Sequence, residues 1–133
     1  MTNKTIPQLI KSATRHFNEF IRNRDQDKPC ISCGKYNATQ AGHFYSAGHY
    51  PALRFDEDNC HKQCVGCNHF KSGNLIEYEK NLRRRIGDDR VEMLHMRAGY
   101  YKKNGYKWDR FHLEEVIREY RERKKICSTT STK

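Results

Sequence analysis

Two pairs of cysteines, Cys30-Ile31-Ser32-Cys33 and Cys64-Val65-Gly66-Cys67, share the spacing Cys-x-x-Cys. A tight turn of that length aims two sulfurs at one point, and two such turns complete the four-thiolate tetrahedron that zinc prefers. The N-terminus carries no apolar signal-peptide core, so the pairs read as metal ligands rather than disulfides, and Cys60 and Cys127 as free thiols. His43, His49, Asn59 and His61 lie between the pairs, and Asn68 directly follows the second. These residue types suit hydrolysis of a phosphodiester. That reaction needs a base to activate water and a divalent cation to neutralise charge on the phosphorane and the leaving oxygen. A neutral histidine can serve as the base, while amides, imidazoles and carboxylates can hold Mg2+ or Mn2+.

The rest of the chain must position these groups. Residues 7–24 carry Leu9, Ile10, Ala13, Phe17, Phe20 and Ile21 at helical spacing, with Lys11, Arg15, Arg22 and Arg24 between them, which predicts an amphipathic helix with a basic flank. Pro29 disfavours helix at Lys28, so the chain enters the first cysteine pair extended. From Cys30 to Cys67 helical periodicity is absent, and the alternation at Ala52-Leu53-Arg54-Phe55 predicts a β-hairpin region with long loops. Helical spacing resumes near Cys67, in one piece or two, through Leu75, Tyr78, Leu82 and Ile86, with Gly87 as C-cap. Asn68 then sits in the first turn of that helix, facing the hairpin.

A short helix is expected over 88–97, with Val91 and Leu94 inward, and a final one over about 109–125. Gly99 to Trp108 reads as a loop in which Tyr100, Tyr101, Tyr106 and Trp108 mix with lysines, either stacking on exposed bases or anchored to the core. The fold class expected is α+β in one domain over residues 1–127. It comprises an N-terminal helix at about 7–24, a zinc-bound ββα core at about 29–86, C-terminal helices at about 88–126, and a disordered tail at 128–133.

With 35% hydrophobic and 32% charged residues, a modest core is expected, which a structural metal would reinforce. The formal charge of +10, from 26 Lys+Arg against 16 Asp+Glu, favours polyanionic partners. No run approaches the roughly eighteen apolar residues of a membrane span, so a soluble, cytoplasmic protein is expected, with no membrane partner.

The order of these pieces resembles a known pattern. Phe20-Ile21-Arg22-Asn23-Arg24-Asp25, Pro29-Cys30-Ile31-Ser32-Cys33-Gly34, Ala41-Gly42-His43, Leu53-Arg54-Phe55, His61-Lys62-Gln63-Cys64 and Cys67-Asn68 followed by Lys71-Ser72-Gly73-Asn74-Leu75 are similar to the phage NinG/Rap recombination nuclease family, an HNH-type (ββα-metal) group in its His-Asn-Asn variant. The likeness runs from about Thr14 to about Leu94, with a looser echo from Trp108 to Tyr120. It implies a structure-selective endonuclease for branched recombination intermediates, Holliday junctions and D-loops, in a phage-infected or lysogenic bacterial cell.

By position, the resemblance makes His43 the general base, Asn59 the residue that orients the base or its loop, Asn68 a ligand of the catalytic Mg2+ or Mn2+, and Cys30, Cys33, Cys64 and Cys67 the holders of structural Zn2+. One departure stands out. The residue before the base is ordinarily an acidic or histidine ligand, and here it is Gly42. The second cation ligand is then expected at His61, with His49 and Asp56 as alternatives; His49, repeating the context of His43, is also a reserve base. Arg54, Lys62, Lys71, Arg83 and Arg84 are candidate phosphate contacts. His16, His69, His95 and His112 read as structural or surface residues. A homodimer would suit a four-way junction, and other recombination proteins are conceivable partners. Two rival readings stay open: a non-catalytic zinc ribbon that binds nucleic acid, which leaves the His43/Asn59/Asn68 set without a role, and a sequence-specific HNH nuclease.

Overall fold

The computed structural model describes the backbone of residues 3–131 and the side chains of residues 3–124. Helix α1 (Ile6–Arg24) starts where Thr5 and Gln8 cap one another, with the Gln8 N–H donating to Thr5 Oγ1 and the Thr5 N–H to Gln8 Oε1. Its buried stripe is Leu9, Ala13, Phe17, Phe20 and Ile21, as the spacing predicts. Strands β1 (Gln40–His43) and β2 (Cys60–Gln63) pair antiparallel, with Gly42 opposite His61 and His43 opposite Cys60. Then come a π-helical turn (Gly66–Phe70) and helices α2 (Leu75–Ile86), α3 (Asp88–Asn104) and α4 (Arg110–Ser131). The fold is thus a mixed α+β arrangement around a two-stranded sheet.

The sheet lies between two helical layers, and strand alternation sorts its side chains between them. On one face Ala41 and Cys60 meet Phe17, Phe20 and Tyr120, where α1 and α4 run side by side in the same direction. On the other, Gly42, His61 and Gln63 face α2, whose Tyr78 donates from its hydroxyl to the Gly42 carbonyl at 2.7 Å. Beyond them Ile31, Leu53, Tyr78, Leu82, Val91, Leu94 and Ala98 form the α2/α3 core. At the end of α1, buried Asp25 accepts from the Lys62 N–H and from Arg24, which also reaches the carbonyls of Glu57 and Cys60. Burial would raise the Asp25 carboxyl, but the bonds from Arg24 and Lys62 hold it below its usual range.

Several boundaries differ from the sequence expectation. The residues 52–55 do not form a strand: Pro51–Leu53 is a 3-10 turn, with proline in its first turn, where its fixed φ suits helical backbone. Helix α3 continues to Asn104, absorbing half of the expected aromatic loop, because Ala98 and Tyr101 still pack on the core. The remainder is anchored rather than free for bases. The Trp108 indole donates to the Pro51 carbonyl at 2.9 Å and its ring meets Phe55 and Tyr106 edge-on. Helix α4 runs through Ser131, past the expected start of a tail at Ser128, while residues 132–133 and the Cys127 side chain lie outside the described residues. Cys60 is a buried free thiol among the described residues.

Gly42 has a structural reason. A Cβ there would lie 1.9 Å from Gln63 Oε1 and 2.8 Å from Gln63 Cβ and Cδ. Gln63 cannot swing aside freely, because it is fully buried and its Nε2 donates to Ser32 Oγ at 2.9 Å and to the Gly73 carbonyl at 2.6 Å. Gly42→Ala is expected to cost about 1–3 kcal/mol through overpacking, read as a lowered urea midpoint at unchanged zinc content. A second change, Gln63→Ala, should recover part of that loss; no coupling between the two would sink this account.

Candidate functional site

The four cysteines come together. The sulfurs of Cys30, Cys33, Cys64 and Cys67 all lie within 4.8 Å of one another, and the Cys33–Cys64 separation is 3.8 Å. A tetrahedron with zinc–sulfur bonds of about 2.3 Å has edges of about 3.8 Å, so the set fits a structural metal such as zinc. The surroundings favour the thiolate at Cys30, whereas burial raises the Cys33 and Cys67 thiols. Backbone N–H groups of Cys33 and Cys64 donate to Cys30 Sγ, that of Cys67 donates to Cys64 Sγ, and the Asn74 amide donates to Cys67 Sγ at 3.4 Å. Burial would push the Cys30 thiol up, but the N–H donors outweigh it and bring it down to about 7.

Beside this cluster the end of β1, the following loop and the π-helical turn enclose an open cleft of about 680 Å³, lined among others by His43, Tyr45, His49, Asn68 and Ser72. His43 is fixed by its ring: Nε2 lies 2.8 Å from the Arg54 carbonyl. A carbonyl only accepts, so Nε2 carries the proton and Nδ1 keeps its lone pair. Burial holds the His43 pKa below its usual value, against the opposing pull of the Arg54 carbonyl, and the ring is neutral near pH 7. Asn68 is oriented as well. Its Nδ2 donates to Gln40 Oε1 at 2.9 Å, leaving Oδ1 as an unspent acceptor. The wide turn that carries it, closed by Lys71 N–H to the Gly66 carbonyl at 3.0 Å, is a geometry often found at functional positions.

Asn59 is 0% exposed and spends its whole side chain on the loop between the strands. Its Oδ1 accepts from the Tyr45 N–H at 2.8 Å, and its Nδ2 donates to the carbonyls of Tyr45 at 2.9 Å and Leu53 at 3.1 Å. Leu53 directly precedes Arg54, whose carbonyl holds His43, so Asn59 positions the loop that positions the histidine.

His61 is not brought to the cleft. It stands opposite Gly42 on the face turned toward α2, 2% exposed and edge-on to Tyr78, and burial pushes its pKa down to about 3. Position 42 faces the same buried side, so no residue there could reach the cleft. Asp56 is likewise elsewhere, paired with Arg97 at 2.8 Å. Of the alternatives, His49 lines the cleft, with Nδ1 against Ser46 Oγ at 2.8 Å. Among the described residues lining the cleft, none is acidic.

The candidate phosphate contacts scatter. Lys71 is exposed three residues after Asn68. The Arg54 guanidinium is half-buried against Thr14, and Lys62 donates to the Gln26 carbonyl. Arg84 reaches Asn81 and borders a separate hollow beside the first cysteine turn. Arg83 is held by three carboxylates, Glu79 at 2.8 Å, Asp88 at 3.2 Å and Glu92 at 2.6 Å, which spends the charge that a phosphate would need. Along α1 and α4, by contrast, Lys11, Arg15, Arg118 and Arg121 line shallow basic grooves. Sequence reasoning missed Gln40, Gln63 and Tyr45, none of which carries a local signal: each acquires its role from a partner across the sheet or on another helix.

No helix among the described residues is long and apolar enough to cross a membrane. No solved structure matches the chain. Protein ninG of Escherichia phage lambda is 42% identical over 118 residues, covering 87% of this chain and 55% of that protein. Protein ninG of Salmonella phage P22 is 43% identical over 121 residues, covering 87% and 56%. That of Escherichia phage 933W is 53% identical over 85 residues, covering 62% and 42%. The chain thus spans about half the length of the curated relatives it matches. The family model described as "Bacteriophage Lambda NinG protein" matches residues 2–129, and so this chain belongs to the NinG family of phage proteins.

Proposed function

We propose that this chain is a zinc-stapled, metal-dependent DNA endonuclease of the HNH (ββα-metal) type that cuts branched recombination intermediates such as Holliday junctions and D-loops in the phage's host cell. One observation carries the reading: a neutral histidine, with Nε2 committed to a carbonyl and Nδ1 uncommitted, shares a cleft with an asparagine whose amide oxygen is unspent. A zinc ribbon that only attached to DNA would have no use for either constraint.

In this reading His43 Nδ1 takes a proton from a water that attacks phosphorus, and Asn59 keeps that imidazole in place through the loop. Asn68 Oδ1 and His49, which line the same cleft, would hold a divalent cation. Mg2+ or Mn2+, when bound there, supplies positive charge to the phosphorane and the leaving oxygen. These donors are neutral, whereas such ions ordinarily bind through carboxylates together with substrate phosphates. The donor set therefore fits a cation that is retained jointly with DNA rather than by the free protein. The basic grooves on α1 and α4 supply the sequence-independent, salt-sensitive grip, in place of Arg83. Selectivity then comes from the shape and deformability of the branch point.

The test is a panel of linear duplex, flap, D-loop and four-way-junction substrates incubated with Mg2+ or Mn2+ and, in parallel, with EDTA. Cleavage of the branched members, suppressed by EDTA, is expected. Discrete cuts in linear duplex would indicate a sequence-specific nuclease instead, and binding without any cleavage would leave a zinc-ribbon DNA-binding protein.

A further inference from the structure

A second histidine is wired into the cleft. Tyr45 lines it with His43 and Asn68, and Asn59 holds both the N–H and the carbonyl of Tyr45. Its hydroxyl is hydrogen-bonded to Nδ1 of His95 on α3. The opposite nitrogen of that ring, Nε2, meets Oε2 of Glu79 on α2 at 3.1 Å, and Arg83 steadies the same carboxylate oxygen at 2.8 Å. The phenol ring is clamped between Phe44 and Tyr50, with centroids 5.0 and 4.8 Å away. Burying a tyrosine hydroxyl calls for one acceptor only. Here the acceptor is an imidazole backed by a carboxylate, the arrangement that fixes a tautomer and stabilises the imidazolium form.

We propose that Tyr45 is the general acid of the cleavage reaction, delivering a proton to the leaving oxygen, with His95 and Glu79 as the positioning residues that recharge it. The inference rests on the endonuclease reading above and names the group opposite the base. Neutral His95 accepts the Tyr45 hydroxyl proton at Nδ1, because the Glu79 carboxylate claims the Nε2 proton. When His95 is protonated, Nδ1 becomes a donor to Tyr45 Oη and the phenolic hydrogen is freed for another acceptor.

In the reaction a bond forms between the water oxygen and phosphorus as the bond from phosphorus to the leaving oxygen breaks. The water proton goes to His43 Nδ1, the Tyr45 proton goes to the leaving oxygen, and the His95 Nδ1 proton moves onto Tyr45. His43 ends protonated and His95 neutral, and solvent resets both. The charged and titratable groups in contact with His95 are Tyr45 from the strand-connecting loop and Glu79 from α2; Arg83 sits on Glu79, and Tyr50 and Glu92 act on Tyr45.

A four-way junction with sulfur replacing the leaving oxygen at the scissile ester tests this, because a thiolate departs without a proton. In Mn2+, Tyr45→Phe is expected to lose about 10²- to 10⁴-fold in single-turnover rate on the oxygen ester and to cut the sulfur ester at nearly the wild-type rate. His95→Gln should likewise lose rate on the oxygen ester and recover on the sulfur ester. Equal losses on both esters would reduce Tyr45 to a structural residue, and undiminished cleavage of the oxygen ester by Tyr45→Phe would remove it from the reaction; either result overturns the inference and leaves the endonuclease reading intact. A wild-type chain that cuts neither ester takes down both.

Discussion

Stripping the metal from the four-thiol site should unfold the protein rather than merely slow it. The described core is divided into small clusters: five residues where α1, α4 and the sheet meet, four at the start of α1, and seven between α2 and α3. The segment between α1 and β1 gives them one residue, Ile31, and is tied to β2 and the π-helical turn by the thiol cluster together with a few hydrogen bonds at Ile31 and Ser32. Structural zinc in small domains contributes about 10–16 kcal/mol of apparent binding free energy, comparable to or larger than the ~5–15 kcal/mol that separates folded from unfolded domains. Cys64→Ser, which removes one of the four sulfur ligands, is expected to abolish stoichiometric zinc and the cooperative thermal transition. A thiol reagent such as p-hydroxymercuribenzoate should release one zinc per chain, measurable with a chromogenic chelator, in step with loss of helical circular dichroism. A chain that keeps its transition with no metal bound would refute the scaffold role.

His43→Ala is expected to leave folding and junction affinity in place and to lower the cleavage rate by about 10²–10⁴-fold, the span general bases supply. The ring makes one hydrogen bond to the fold, to the Arg54 carbonyl, and it lines the cleft, so its removal should open a hole at the cleft wall. The pH dependence has a definite sign. Burial disfavours the imidazolium, so the base stays neutral to lower pH than a free histidine. The acid limb of kcat/KM should therefore fall below pH 6.5, the ordinary value for histidine. An acid limb above that value, or one that survives in His43→Ala, would assign the base to another group. His49 is then the next to test, since it lines the same cleft.

Much of this was readable from residue order because the information is local. Cys-x-x-Cys turns specify a metal site through spacing alone, and the apolar stripe of α1 is fixed by helical periodicity. Asn59 could be read as an orienting residue only through resemblance; its buried amide, spent on the Tyr45 and Leu53 backbone, supplies the physical reason. What stayed hidden depends on phase or on distant partners. His61 and His43 differ only in strand parity, and a strand four residues long gives no alternation from which to read which face looks inward. Gly99 and the lysine–tyrosine run resemble a loop, yet packing by Ala98 and Tyr101 outweighs their weak helix propensity. Arg83 looks like a free cation until α3 brings Asp88 and Glu92 to it. The Tyr45–His95 bond joins residues fifty positions apart, which no pattern in the sequence announces.

The Gln63 amide that lies over Gly42 has an evolutionary corollary. Because one side chain fills the space the other residue lacks, the two positions form a single heritable unit. A lineage could acquire a bulkier residue at 42 only after shortening 63, and that first step would release Ser32 and Gly73 from their shared partner. A lineage that began from this pairing would find the route to a ligand beside the histidine closed, and would have to recruit its second donor from the neighbouring loop.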